Sequence, residues 1–515
     1  MKPGSRTEYS AKNTYIGTAS RIVAILMGFI TRVVFTHMLS ESYVGINGLF
    51  TDILNVLSLS ELGVETAITY ALYKPIAENN LEEQKSLMRM YRLYYRIIAV
   101  VIFIAGLTLI PFLHILIKNK PDVEHLTLIY LLYLINTFFS YLLIYKKTLI
   151  DANQMFYIGM LYQTVFWVIQ DILQIIILIL TKNFILFLLV YILCTLAGNI
   201  CISRKADKLY PFLKEKDVKP LEKLSKKQIF KNVRAMFLHK IGTVLVNNTD
   251  NLVLSSFVGI ISVGCYSNYF LIIKSVGQIV GQMFQGIAAS IGNLGATEDI
   301  SRVRKIFETA VFLAIWLYGL SAIVLYELLN LFVEVSFGEK YLFSIEIVLI
   351  LCINFFITGI KDAILVFRDA LGLFWSDRFI PLLEAGLNLV VSLFLVRKLG
   401  TAGVFLGTFI STVSTSIWME PYLLYKNYLK LPSGSFFLRC FIYIAATGGI
   451  WWLTDFLCRT VNGNYIVLFI KRAIISLVIP NTIMCGLYFR TREFRFILEK
   501  TRGILKAERG ITNDK

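Results

Sequence analysis

Apolar residues in this chain recur in blocks of about 20 or more, the length a helix needs to span a bilayer. "IIAVVIFIAGLTLIPFLHILI" (97–117) and "FILFLLVYILCTLAGNICI" (184–202) are two of them. Among the 515 residues, 57% are hydrophobic and 17% charged, and the mean hydropathy is +0.67. Soluble domains are usually about 45–50% apolar and about 25% charged, so both values point away from a soluble fold. The pattern predicts an all-α polytopic membrane protein with about fourteen transmembrane helices. The candidate spans are 13–37, 44–72, 93–117, 125–145, 157–180, 184–202, 235–257, 263–291, 306–330, 343–365, 379–396, 402–425, 440–457 and 465–489. Lys471, Arg472 and Pro480 interrupt the last of these.

The N-terminus begins basic (Lys2, Arg6, Lys12) and turns apolar, as a secretory leader does. Its apolar part holds Arg21 and Arg32 and leads to no small-residue cleavage site, so an uncleaved first span is expected. Seven cysteines lie mostly in apolar segments, with no Cys/His spacing of a metal or disulfide framework. No metal site is expected.

Lys and Arg fix the orientation. With the N-terminus inside, the inner segments hold 36 of them and the outer connections 7. The positive-inside rule demands that asymmetry, and both termini come out cytoplasmic. The net charge of +17 therefore marks the cytoplasmic face, against anionic lipid headgroups, and gives no reason to expect a nucleic-acid partner. No phosphate-binding GxxxxGK[ST] loop occurs, and no outer connection is long enough to house the catalytic groups of a membrane glycan polymerase. Neither an ATP-driven pump nor an enzyme is expected.

The longest inner connection, 203–234, carries eleven Lys and Arg and divides the chain. Around it the halves resemble each other. A shift of 219 residues superposes Val44-Gly45 of "SYVGINGLF" on Val263-Gly264 of "ISVGCYSNYF", each opening a long helix. A shift near 222 brings "YKKTLIDANQMFYIGML" (145–161) onto "FRDALGLFWSDRFIPLL" (367–383). Six spans followed by six of the same orientation form a parallel repeat, with substrate expected between the halves near the midplane. The expected organisation is an N-lobe (1–202), a basic linker (203–234), a C-lobe (235–430), two further spans (431–489) and a cytoplasmic tail (490–515).

Three stretches carry a family resemblance: "RVVFTHMLSESYVGINGLFTDILNVLSLSELGVETAITYALYKPIAE" (32–78), "TDNLVLSSFVGIISVGCYSNYFLI" (249–272) and "FRDALGLFWSDRFIPLLEAGLNLVVSLFLVRKLGTAGVFLGTFIST" (367–412). Together they resemble Wzx-type polysaccharide flippases of the multidrug/oligosaccharidyl-lipid/polysaccharide (MOP) exporter superfamily. The resemblance implies two six-helix lobes around a central cavity. It also implies alternating access that moves an undecaprenyl-pyrophosphate-linked oligosaccharide to the outer leaflet of the bacterial cytoplasmic membrane, beside polysaccharide polymerase machinery. In related lipid II flippases two extra C-terminal helices form a groove for the polyprenyl tail, which is the expectation for the last two spans here. The superfamily also contains drug/cation antiporters, whose cavities should present carboxylates where a pyrophosphate carrier presents cations. No cofactor is implied beyond an H+ or Na+ gradient or the membrane potential.

Charges within the spans are the candidate site, because each is costly in lipid and faces protein or water. Arg suits a pyrophosphate through its bidentate fork. Arg21 and Arg32 are eleven residues apart, about 20° from eclipsed, so both share one side of the first span. Lys274 lies mid-span, at the depth of Asp250 in "NNTDN", to within about 6 Å. His239 and Lys240, near the inner end of span seven, are placed to receive the head group. Asp171, between Gln170 and Gln174, offers polar contacts to sugar hydroxyls. A structural pairing or snorkelling role is the competing explanation for each. Aromatics such as Trp167, Tyr269 and Trp316 offer faces for stacking on sugar rings. Lipid-facing or interfacial anchoring is the commoner explanation for any one of them, and none is assigned to the site.

Glu61 and Glu65 in "SLSELGVETA" stand four residues apart on one helix face. Measured from the outer turn near residue 40, Glu61 matches Arg21 in depth to within about 3 Å. A Glu61–Arg21 pair is expected, one that an arriving pyrophosphate would compete for. Glu61, Asp250 and Asp171 are the candidates for ion pairing or coupling, and Glu65 has no assigned role.

Overall fold

The computed structural model describes residues 6–58, 71–72, 75–76, 78–117, 123–153, 155–215, 218, 220–221, 248–285, 299–371 and 379–499. No strand occurs among them. Twelve described helices are long and apolar enough to cross a membrane. Two shorter described pieces, Glu41–Leu57 and residues 248–258, fall in the second and seventh expected spans. The all-α, many-span architecture is therefore as the sequence reads it.

The chain forms two compact units, Met1–Ser267 and Asn268–Lys515. Their division falls inside a helix, whereas the sequence places its boundary in the basic linker, much of which (222–247) lies outside the described residues.

The first unit contains α1 (Arg6–Met38), α2 (Glu41–Leu57), α3 (Leu81–Leu109), α4 (Leu126–Ala152), α5 (Phe156–Thr181) and α6 (Phe184–Leu209). It closes with the start of α7 (Ile260–Gln285). Local signals set the ends. The Asn80 side chain accepts the Glu83 N–H and caps α3, and Asn183 does the same for Ile185 and Leu186 at α6. Pro111 ends α3 in a 3₁₀ turn. Helix α1 packs along α5, and α4 along α3 and α6. One aromatic cluster joins Phe35, Phe184 and Phe187, and another joins Tyr91, Tyr95 and Tyr141. The opposite face of α5 exposes Leu161, Val165, Ile169, Ile172, Ile176 and Leu180, a surface suited to lipid rather than water.

Helices α2 and α7 approach closely at the glycines the repeat superposes. A Cβ on Gly45 would sit 2.0 Å from the Ile260 carbonyl oxygen, and one on Gly264 2.9 Å from that of Glu41. Only glycine allows backbones this near.

The second unit continues with α8 (Ile300–Phe337), α9 (Ile345–Ala370), α10 (Ile380–Leu399), α11 (Thr401–Ser414), α12 (Ser416–Leu424), α13 (Gly434–Arg459) and α14 (Tyr465–Tyr488). At 38 residues α8 is longer than the expected span 306–330, about 57 Å against a hydrocarbon core of about 30 Å. It serves as the post for α9, α13 and α14. The twelfth expected span is not one continuous helix but breaks at Thr415 (φ −126°, ψ −92°) into α11 and α12, with Pro421 following inside α12. Helices α10 and α11 form the tightest hairpin. A Cβ on Gly403 would lie 2.4 Å from the Leu395 oxygen, and one on Gly407 2.1 Å from Ser392 Oγ. The spacing is Gly-x-x-x-Gly, small residues that let two membrane helices touch. The C-terminal pair docks on α8 through Trp316 Nε1–H donating to Asn481 (3.0 Å) and an aromatic cluster of Phe312, Tyr443 and Tyr488.

Candidate functional site: a polar cavity in the first unit

Four of the side chains noted on span five meet in one place. Trp167, Gln170, Asp171 and Gln174 share a face of α5 because they recur at three, four and seven residues. They line a cavity of about 440 Å³. Asn47 and Thr51 of α2, Tyr133 of α4, and Phe187 and Tyr191 of α6 close it, and Ala24 of α1 forms one edge. An adjoining cavity of about 320 Å³ shares Trp167, Gln170 and Tyr191 and adds Asn55, Asn136, Gln163 and Asn199.

The lining is held in place by its own bonds. Gln174, 2% exposed, donates to the Phe187 carbonyl at 3.2 Å, and Gln170 donates to Gln174 at 3.4 Å. Tyr133 donates to the Asn47 side chain, and Thr51 to the Asn47 carbonyl at 2.6 Å. Trp167 remains 46% exposed. Amides and hydroxyls both donate and accept, and an aromatic face packs on the apolar face of a ring. Such a lining suits a neutral, hydroxyl-rich ligand.

Asp171 is the charged residue of the described lining, and Arg32 and Arg21 lie outside it. Asp171 stands beside Thr31 of α1. Arg32, the next residue, is half-buried, with its guanidinium carbon 5.9 Å from the Phe35 ring and close enough to Tyr133 to interact electrostatically. Arg21 lies on α1 three residues before Ala24, exposed, with no ion pair among the described residues. Its expected partner Glu61, and Glu65 with it, lie outside the described residues, as do His239 and Lys240.

The described part of the "NNTDN" segment, 248–251, faces α2. Asn251 donates to Asp52 at 2.5 Å, and Asn55 donates to Asn248 at 3.3 Å. Asp250 is buried in the first unit. Lys274 belongs to the second unit, exposed, its ammonium 5.5 Å from the centre of the Phe270 ring on its own helix. Two aromatics singled out in the sequence are structural. Tyr269 is buried and donates to Asn330 at 2.5 Å, and Trp316 ties α8 to α14.

A buried polar cluster in the second unit escaped the sequence reading. Glu384 of α10, 3% exposed, pairs with Lys361 of α9 at 3.1 Å. It also accepts from Thr412 at 2.7 Å and from Ser416. Nearby, Asn388 donates to Thr408 at 2.9 Å. Glu384 lies 23 residues from Lys361, so no helical periodicity links them; an apolar run broken by one Lys or one Glu was the available signal. Among the described residues no group of His, Cys, Asp and Glu is arranged to hold a metal.

Many helices long and apolar enough to span a membrane, several of them lining a polar cavity, describe a multi-pass membrane protein. The chain matches the family described as polysaccharide biosynthesis protein over residues 10–290, and it belongs to that family. No curated protein matches its sequence. Among solved structures it is similar to the lipid II flippase MurJ in an inward closed conformation. That likeness has TM-score 0.64 and 15% identity, over 94% of this chain and 99% of that one. It is also similar to a mutant MATE transporter VcmN of Vibrio cholerae (TM-score 0.56, 16% identity, 84% and 100% covered). A third similar structure is a multidrug resistance MATE family transporter of the MOP superfamily in an inward-facing conformation (TM-score 0.58, 15% identity, 83% and 96% covered). At these identities the likeness is one of fold, and the fold is that of MOP-type transporters, as the resemblance implied.

Proposed function

We propose that this protein is a Wzx-type flippase that carries an undecaprenyl-pyrophosphate-linked oligosaccharide from the inner to the outer leaflet of the bacterial cytoplasmic membrane, for surface polysaccharide synthesis. The observation that carries this reading is the amide- and aromatic-lined cavity around Trp167, Gln170 and Gln174, within a chain of the polysaccharide biosynthesis family. Sugar hydroxyls satisfy the amides, the indole packs on a ring face, and Arg32 and Arg21 on α1 supply cations for the pyrophosphate. Both termini face the cytoplasm in this reading. Transport is driven by the membrane potential or by H+ or Na+ exchange, with Asp171 and Asp250 as the described carboxylates available to it.

The rival reading, export of organic cations, rests on Asp171, the one carboxylate among the described residues of the cavity lining. One reconstitution separates the two. Proteoliposomes loaded with a polyprenyl-pyrophosphate-linked oligosaccharide are assayed for glycan reaching the opposite leaflet by lectin or periodate accessibility. Trp167→Ala with Asp171→Asn should lower the rate about tenfold or more, the loss of one packed ring and one or two hydrogen bonds. Transport by that double variant at the wild-type rate, or efflux of organic cations in place of glycan transfer, would overturn the reading.

A further inference from the structure

Helix α3, with the 3₁₀ turn that ends it, runs as 32 residues from Leu81 to Phe112, about 48 Å, where the hydrocarbon core is about 30 Å thick. With its C-terminal end at the outer interface, the first three turns project on the cytoplasmic side and the apolar layer begins near residue 92. Exposed Leu93, Ile97, Val100, Val101 and Ile104 continue from there as a lipid-facing strip. At the head of that strip stand three exposed arginines, Arg89, Arg92 and Arg96. Their three- and four-residue spacing puts them on one face.

They border a groove of about 520 Å³ between α3, α4 and the turn Pro211–Lys214 that follows α6. Among the described residues six cationic side chains and one carboxylate line it. Most of the other charges are already engaged. Lys85 pairs with Glu215 at 2.6 Å and Glu82 at 3.0 Å, and Lys146 with Asp207 at 2.7 Å. Arg89 donates to the Val218 carbonyl at 2.7 Å, fixing the wall of the groove. Arg92 and Arg96 pair with no carboxylate and donate no hydrogen bond among the described residues. Another charged pocket, around Glu308 of α8, differs, because Arg304, Arg439, Glu308 and Glu493 there bond one another.

We infer that Arg92 and Arg96, with Arg89 behind them, bind the phosphate headgroup of an anionic lipid of the cytoplasmic leaflet. The acyl chains lie along the Leu93–Ile97 strip, and Leu142 and Phe212 line the groove beneath the headgroup. The guanidinium fork matches phosphate oxygens bidentately, and the position at the apolar boundary is where a lipid phosphate resides and where a soluble anion is less favoured. The inference is independent of the transported substrate and rests only on the orientation set by the Lys and Arg distribution.

Native mass spectrometry of the full-length protein in detergent tests it, with phosphatidylglycerol, phosphatidylcholine and inorganic phosphate as probes. Phosphatidylglycerol should bind more tightly than phosphatidylcholine. Arg92→Gln with Arg96→Gln should weaken it about tenfold or more, because two basic contacts are removed. Arg92→Lys with Arg96→Lys should keep much of the preference, and a Lys182→Gln control should be unchanged. Wild-type binding by the Gln pair at an unaltered melting temperature would overturn the site. Inorganic phosphate displacing the lipid at equal concentration would overturn the lipid as its ligand.

Discussion

The Lys361–Glu384 pair is the buried charge whose removal the geometry prices most directly. Glu384 is 3% exposed and the Lys361 side chain 15%, so water screens neither well. At their 3.1 Å separation, two unit charges attract by about 5 kcal/mol at an effective dielectric of about 20. Desolvation offsets much of that in the intact protein, so the pair itself contributes little net stability. Breaking it is different. Lys361→Met leaves Glu384 with only Thr412 and Ser416 as described partners, a loss of about 3–5 kcal/mol for an uncompensated buried charge. In a unit of about 250 residues that lowers the melting temperature by about 6–20 °C. The double variant Lys361→Met with Glu384→Gln removes the orphan charge and should recover most of the loss, because Gln still accepts from a hydroxyl. Unfolding in detergent, followed by tryptophan fluorescence, reads all three variants. A Lys361→Met protein melting within about 2 °C of wild type, or a double variant no better than the single one, would refute the reasoning.

Two further outcomes are expected. Gly45→Ala sets a methyl 2.0 Å from a backbone oxygen that no rotamer change can relieve, and should cost about 3 kcal/mol or more in the same melting assay. Gly28→Ala, with nothing within 4 Å of its Cβ, should instead stabilise by about 0.5–1 kcal/mol as a helix-interior glycine replaced. Arg439→Ala removes the bridge between Glu308 (2.6 Å) and Glu493 (3.0 Å). It should destabilise by about 1–3 kcal/mol and make the segment after Tyr488 more sensitive to limited trypsin digestion.

What the sequence disclosed and what it withheld follow the range of the forces involved. Spans are legible because lipid demands about 20 apolar residues in a row wherever a helix crosses. Helix overhangs are less so, since hydropathy marks the apolar layer rather than the end of the hydrogen-bonded helix; α3 starts at Leu81 and α8 at Ile300, each before its expected span. Part of the α5 side of the cavity was visible because Gln170, Asp171 and Gln174 lie on one helix, where spacing alone decides who shares a face; Trp167 shares that face but was not assigned to the site. Asn47, Thr51, Tyr133 and Tyr191 come from three other helices. Their meeting depends on which helices pack together, a matter of ridges, grooves and small residues that one-dimensional periodicity does not encode.

The glycines show where the two kinds of information meet. The repeat superposes Gly45 on Gly264 by position alone, and position alone gives no reason for either to be glycine. The structure supplies one. A Cβ on Gly264 would meet Gly45 N at 3.1 Å and the Glu41 oxygen at 2.9 Å, while a Cβ on Gly45 would meet Ile260. Each glycine is thus the condition for the other's helix to come close, and loss of either side chain vacancy forces the same two backbones apart. A similarity of two short stretches, weak as sequence, becomes a single physical constraint once the two stretches touch. The same logic explains Gly403 and Gly407 against Leu395 and Ser392, a Gly-x-x-x-Gly spacing readable in the sequence but assignable to a partner only when the α10–α11 hairpin is folded.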